Sequence, residues 1–173
     1  MDIVFEKVSY EQFAAATRQC MGDVEDAEFA EASETIKTLY NEIKLPTRAT
    51  EGSAGYDFYF PFASLELQPD EIAFIPTGIR CKMPKGTVLM LFPRSSVGFK
   101  TGTYLANTTG VIDSDYYYAD NEGHIMVKLV GGFAEYKAGH NDRFIQGVFF
   151  PYCVGEDQPL SAERVGGFGS TGK

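Results

Sequence analysis

Asp113 follows two apolar residues within Asn107-Thr108-Thr109-Gly110-Val111-Ile112-Asp113-Ser114-Asp115-Tyr116. A carboxylate held beside apolar groups is a candidate general base. On a strand, the period of two sets Asp113 on the face of Val111 and Asp115, opposite Ile112. A turn-forming Asp-Ser-Asp cluster is the alternative. The preceding Asn-x-x-Gly suits a β-hairpin whose backbone donors and acceptors could read the edge of a base. In Pro93-Arg94-Ser95-Ser96-Val97-Gly98, Arg94 offers a bidentate fork for phosphate and the two hydroxyls add donors. Taken alone, that segment reads as a solvated turn.

Asp57, in Ser53-Ala54-Gly55-Tyr56-Asp57, is a second carboxylate among apolar strand residues, with a structural strand-end role as its plain reading. Arg143 and Gln146 lie three apart at the start of a strand. They point to opposite sides unless a bulge or turn intervenes, and individually each reads as structural. The last segment, Gly166-Gly167-Phe168-Gly169-Ser170-Thr171-Gly172-Lys173, fits both GxxxxGK and GxGxxG. Both motifs need a helix after the loop, and the sequence stops at Lys173, so neither is adopted. What remains is local: glycines that let N–H groups and hydroxyls curl around an anion, beside the flat apolar face of Phe168. That is a nucleotide clamp or a disordered tail.

These residues need elements to position them. From Leu45 onward, short apolar or alternating runs predict strands at 56–62, 71–75, 87–92, 124–129 and 144–152. Turns punctuate them at Pro69-Asp70, Thr77-Gly78, Pro84-Lys85-Gly86, Gly131-Gly132 and Gly139-His140-Asn141-Asp142. Fourteen Phe and ten Tyr supply bulky core material. The expected fold is all-β, a barrel or jelly roll closed so that no edge is exposed. Before residue 45 the text is helical. Ser9 and Gln12 have capping-box spacing for a helix over 10–20, Gly22 breaks it, and Asp23 is placed to cap a second. In that second helix Phe29, Ile36, Leu39, Tyr40 and Ile43 recur at helical spacings, with Lys44 at its end. The organisation is thus a helical extension over 1–44, a β-barrel over 45–160 and a glycine-rich arm over 161–173, which reads as a mobile arm that orders against something.

Composition bounds the function. The 173 residues, 44% hydrophobic and 23% charged, make one domain with one sizeable core. No apolar run reaches the roughly 20 residues of a bilayer span, and the N-terminus has no signal-peptide pattern, so no membrane association is expected. Cys20, Cys81 and Cys153 are far apart and odd in number, which fits buried thiols in a reducing cytoplasm rather than a disulfide framework or zinc site. The net charge of -9 disfavours binding to nucleic acid. A small anion would need a local pocket of Arg and backbone N–H groups, with or without a metal ion.

Five segments carry a resemblance in order. They are Ala54-Gly55-Tyr56-Asp57; Pro93-Arg94-Ser95-Ser96; Asn107 through Tyr116; Asp142-Arg143-Phe144-Ile145-Gln146; and Gly166 through Gly172. Together, over roughly residues 45 to 172, they resemble the motifs of the trimeric dUTP pyrophosphatases, the dUTPases. The resemblance implies a distorted jelly-roll-like β-barrel homotrimer that hydrolyses dUTP to dUMP and pyrophosphate with Mg²⁺, in active sites shared between subunits.

Carried over by position, the resemblance makes Asp113 the group that orients and deprotonates the water attacking the α-phosphorus. Asn107 and the backbone of Val111 and Ile112 read uracil, Met126 falls near a base-contacting position, and Tyr116 packs on the deoxyribose. Arg94, Ser95, Ser96 and Gln146 hold phosphates, with Arg143 a further substrate-binding candidate. Asp57 binds Mg²⁺ through its waters. Phe168 stacks over the base, with Gly169, Ser170 and Thr171 on the γ-phosphate side.

Three departures stand out. Glu163 occupies the place of the usual Arg in the fifth motif, with Arg164 one position later and a candidate for the same phosphate. The segment from Tyr117 to Gly123 is longer than usual, and Ser96 replaces a Gly. The competing readings are a dCTP deaminase of the same superfamily and a dUTP-binding regulatory protein. The latter role would reside in the helices and the 117–123 loop.

Overall fold

The computed structural model describes residues 2–156. In chain order it contains β1 (Val4–Lys7), α1 (Tyr10–Met21), α2 (Asp26–Glu42), β2 (Thr47–Arg48), β3 (Tyr56–Tyr59), β4 (Ser64–Leu67), β5 (Ile72–Pro76) and β6 (Ile79–Lys82). There follow β7 (Thr87–Pro93), α3 (Ser95–Thr101), β8 (Tyr104–Leu105), β9 (Gly110–Ile112), a 3-10 turn (Tyr116–Tyr118), β10 (Met126–Val130), β11 (Tyr136–Gly139) and β12 (Arg143–Pro151). The strands form antiparallel sheets ordered β2-β3-β12-β7-β9, β5-β10-β8, β1-β6 and β11-β4. The predominantly β, jelly-roll-like architecture expected from the sequence is the one observed.

The alternation of side chains explains why these segments are strands. In β7, Leu89 and Leu91 are buried between partly exposed neighbours, and in β10, Val127 and Leu129 are buried while Lys128 faces out. Their apolar faces join Phe58, Phe60, Phe144 and Ile145 in one hydrophobic cluster. Aromatic edges lock it, with Phe60 and Phe144 at 5.8 Å and 81°. Fully burying each such side chain contributes about 1.5–3 kcal/mol.

The N-terminal segment is woven into this core. Its first strand, absent from the sequence reading, pairs with β6 from Val4↔Lys82 to Lys7↔Ile79. Helix α1 begins where expected, its N-cap Ser9 accepting from the Gln12 N–H. Val8 and Phe13, with Ile36 and Ile43 from α2, then enter the cluster. Gly78 makes the close approach possible. Its φ is 72°, and a Cβ there would run into the side chains of Ile43 and Phe13.

Helix α2 starts later than the sequence suggested. Asp23 does not cap it: the Val24 N–H closes a tight turn onto the Gly22 carbonyl and Asp23 stays exposed outside the helix. The N-cap is Glu25, without a side-chain bond, and Lys44 lies past the C-cap Ile43. The thiols differ too: Cys81 is buried, but Cys20 is only partly so and Cys153 is exposed, beyond the end of β12. All three are free. Among the described residues, no helix is long and apolar enough to cross a membrane.

Candidate active site

Strand β12 is the spine of the first half-site. On one side it pairs with β3, setting Gln146 opposite Asp57; on the other it pairs with β7, setting Gln146 opposite Phe92. The register on β3 slips between Arg143 and Ile145, so Phe144 is an extra residue and both Phe144 and Ile145 are buried. This is the bulge that a spacing of three required. It brings Arg143 and Gln146 together at Asp57 instead of sending them to opposite faces.

Asp57 is buried and lies between two guanidiniums, 2.9 Å from Arg94 Nε and 3.1 Å from Arg143 Nη1. It is therefore not a passive strand-end acid, and Arg94 is not a solvated turn. Arg94 sits at the end of β7 as the N-cap of α3, a helix the sequence reading did not expect, and Ser95 and Ser96 open that helix. One carboxylate against two guanidiniums leaves a local positive charge in a chain of net -9. Arg94 uses Nε on Asp57, so its Nη atoms have capacity for an anion; Nη1 makes a 3.5 Å contact to the Arg143 carbonyl. The cleft here, about 290 Å³, is lined by Ser53, Gly55, Asp57, Arg94, Ser95 and Gln146. Ser96 is exposed and outside that lining. Gly55 packs close under Gln146: a Cβ would stand 2.7 Å from Gln146 Oε1, which would have to shift.

The second half-site lies around β9. A cleft of about 650 Å³ is lined by Asn107, Gly110, Val111, Ile112, Tyr116 and Met126, with Leu91 and Leu105 beneath. The Asn-x-x-Gly segment is not a hairpin between paired strands. β8 pairs with β10 and β9 with β7, so residues 106–109 carry the chain from one sheet to the next. Thr108 takes a left-handed φ of 61°, and the Thr109 N–H bonds the Asn107 carbonyl. Tyr116 is buried, donating to the His124 carbonyl at 2.8 Å and accepting from Asn121 Nδ2 at 2.8 Å. Asp113 lies just beyond the end of β9, half-buried, its carbonyl accepting from the Tyr116 N–H. The strand period therefore stops at Ile112 and does not set the orientation of Asp113.

Gln19, Phe74 and Lys128 also line this cleft and were not anticipated. Lys128 lies over the Phe74 ring, 6.0 Å from its centroid. No sequence signal pointed to Gln19, because only the docking of α1 brings it there.

The two half-sites share no lining residue. Ile112 faces Leu89 on β7, whereas Arg94 follows its far end. At about 3.3 Å per residue, Asp113 and Arg94 are on the order of 20 Å apart. Of the remaining candidates, Arg164, Phe168, Gly169, Ser170 and Thr171 lie outside the described residues. Among the described residues there is no cluster of three or more His, Cys, Asp or Glu side chains able to hold a metal.

Comparison with known proteins follows the same segments. The family model described as dUTPase matches residues 41–172. The deoxyuridine 5'-triphosphate nucleotidohydrolase of Lactococcus lactis subsp. lactis is 43% identical over 135 residues, covering 75% of this chain and 89% of that protein. The crystal structure of a dUTPase from Streptococcus mutans superposes with a TM-score of 0.58 at 38% identity, covering 65% of this chain and 89% of that one. A dUTPase from phage phi11 of S. aureus, whose structure reveals the coordination of a structural Mg(II) ion, shares the fold at 22% identity and a TM-score of 0.54, over 69% of this chain and 91% of that one. With the match extending over most of its length, the chain belongs to the dUTPase family.

Proposed function

We propose that this dUTPase acts as a homotrimer on dUTP, releasing dUMP and pyrophosphate at sites in which Asp113 of one subunit meets the Arg94 cleft of another. The observation that supports this reading most is the separation of the two half-sites along β7. An α-phosphorus and the phosphates bonded to it span only a few ångströms. That separation supports a site in which Asp113 and Arg94 come from different chains.

In this reading the base enters the cleft of Asn107, Val111 and Ile112. There the exposed backbone of β9 offers donors and acceptors to uracil, and Met126 forms a wall. Tyr116 packs on the deoxyribose. Its ring is fixed through its hydroxyl, which leaves no slack for a 2'-hydroxyl. Arg94, Ser95, Ser96 and Gln146 bind phosphate oxygens, and Arg143, 45% exposed on its side chain, adds a second cation at the rim. Arg164, Phe168, Gly169, Ser170 and Thr171 complete the site from the C-terminal segment. The Asp113 carboxylate orients a water and takes its proton as the oxygen attacks the α-phosphorus. The bond to the bridging α–β oxygen breaks, and its electron pair leaves on pyrophosphate.

The donor set suits Mg²⁺. Mg²⁺ retains several waters and is held by one or two carboxylates plus substrate phosphates, so a full protein cage is unnecessary. Asp57, its oxygens already engaged by Arg94 and Arg143, would hold the ion through water. When bound, Mg²⁺ supplies neutralisation of triphosphate charge.

The test is an assay of purified protein with Mg²⁺ on dUTP and dCTP side by side, following pyrophosphate and ammonia. Pyrophosphate from dUTP, lost in Asp113→Asn by at least about 10²-fold, supports the reading. Ammonia from dCTP, or full activity in Asp113→Asn, refutes it.

A further inference from the structure

We propose that Glu122 is a positioning residue for sugar recognition, clasped by Ser9 of the N-terminal segment so that Tyr116 is held in one place. The inference rests on the placement of Tyr116 against the deoxyribose. The family match begins at residue 41, so Ser9 lies outside it and the clasp belongs to this chain's own extension.

The geometry is that of a shared helix cap. In a capping box the residue three places into the helix turns its side chain back to the N-cap N–H. Here that place is taken from a distance of 113 residues. Glu122 Oε2 accepts from the Ser9 N–H at 2.8 Å, and Oε1 accepts from the Ser9 hydroxyl at 2.6 Å. The Ser9 oxygen still accepts from the Gln12 N–H. These bonds hold the Glu122 carboxyl below its usual range, against the opposing effect of its burial.

Glu122 pays for the reach in backbone conformation. Its φ is 58°, a left-handed value unfavourable for a residue with a Cβ, and Gly123 follows at 69°. The turn folds tightly onto Tyr116: a Cβ on Gly123 would lie 2.7 Å from the Tyr116 carbonyl oxygen. On either side of this strained pair, Asn121 donates to the Tyr116 hydroxyl, and the His124 carbonyl accepts from it. The clasp is thus one residue away from Asn121 and two from His124, the two partners of the Tyr116 hydroxyl. A second tie runs in parallel. Tyr117 donates to Glu6 Oε2 at 2.6 Å, and Arg80 pairs with the same oxygen while lying 4.6 Å from the Tyr117 ring centre. Both ties start in the N-terminal segment and end on the loop that carries Tyr116.

The experiment compares kcat/KM for dUTP and UTP in four variants. Glu122→Gly suits the left-handed turn but removes the clasp. Glu122→Gln keeps the side-chain length and one acceptor, Tyr117→Phe removes only the second tie, and Tyr116→Leu is the control for the sugar contact. Expected is a fall in preference for dUTP over UTP of about tenfold in Glu122→Gly, the scale of one charged hydrogen-bonded contact. Glu122→Gln recovers part of it, and Tyr117→Phe shows a smaller fall. Should Glu122→Gly not fold, Glu122→Gln decides, with a smaller fall in preference expected. Unchanged selectivity in the clasp variants while Tyr116→Leu loses it overturns the inference. Unchanged selectivity in Tyr116→Leu instead overturns the placement of Tyr116 on the sugar, and the positioning role with it.

Discussion

Arg94 and Asp113 stand at opposite ends of one strand. Arg94 follows the last residue of β7, while Asp113 follows Ile112, which faces Leu89 near its beginning. This separation along one sheet is the observation behind the proposal that a substrate meets Asp113 of one subunit and Arg94 of another.

The ion triad at Asp57 contributes to stability. Asp57→Asn leaves Arg94 and Arg143 facing each other without a counter-charge. The loss is about 1–2 kcal/mol, less than for a fully buried triad because Arg143 is open to solvent. Denaturant titration of the two proteins checks this, and an unchanged midpoint would contradict it.

Gly55 sets the position of Gln146. In Gly55→Ala the new methyl meets the end of a flexible side chain, so the cost in stability stays within about 1 kcal/mol. The displaced amide raises KM for dUTP several-fold, with kcat little changed. In a Gln146→Ala background the same substitution has no further effect on KM. A full additional rise there would show that Gly55 acts otherwise.

His124 makes stability pH-dependent. It is fully buried, and its Nε2 accepts from the Gly78 N–H, so the ring is neutral with its proton on Nδ1. Burial lowers its pKa to about 4, against the opposing effect of Glu122. An unfolded chain takes up this proton near 6.5 and the folded one only near 4. The contribution is therefore complete above the unfolded value and is lost as pH falls towards the folded one, roughly 3 kcal/mol in all. Unfolding free energies measured across this window should slope downward with acid, and His124→Gln should flatten the slope. An equally steep slope in that variant rules out His124 as the source.

The sequence carried the longer strands, because β7 is an apolar run bounded by turn residues, and it carried the cap of α1, because Ser9 bonds locally to Gln12; the four-residue strands β4, β6 and β11 were too short to stand out. It also singled out Asp57, Arg94 and Gln146. What it could not convey depends on register or on distant chain. The Phe144 bulge turns two residues of opposite expected direction to one acid, and no pattern of types announces a bulge. For Asp113 the turn is the alternative that applies, because β9 ends one residue before it and the Tyr116 N–H closes back onto its carbonyl. Val4–Lys7 is too short to stand out as a strand until β6 lies beside it. Gln19 and the Ser9–Glu122 clasp exist only through tertiary docking.

Subunit complementation tests the shared site most directly. Asp113→Asn and Arg94→Gln subunits, each nearly inactive on dUTP by itself, are mixed in equal amounts, unfolded together and refolded. If the base and the phosphate-binding arginine come from different chains, about a quarter of the sites in random trimers regain both, and activity returns to that fraction of wild type. If both residues serve the site of their own chain, the mixture stays as inactive as its components.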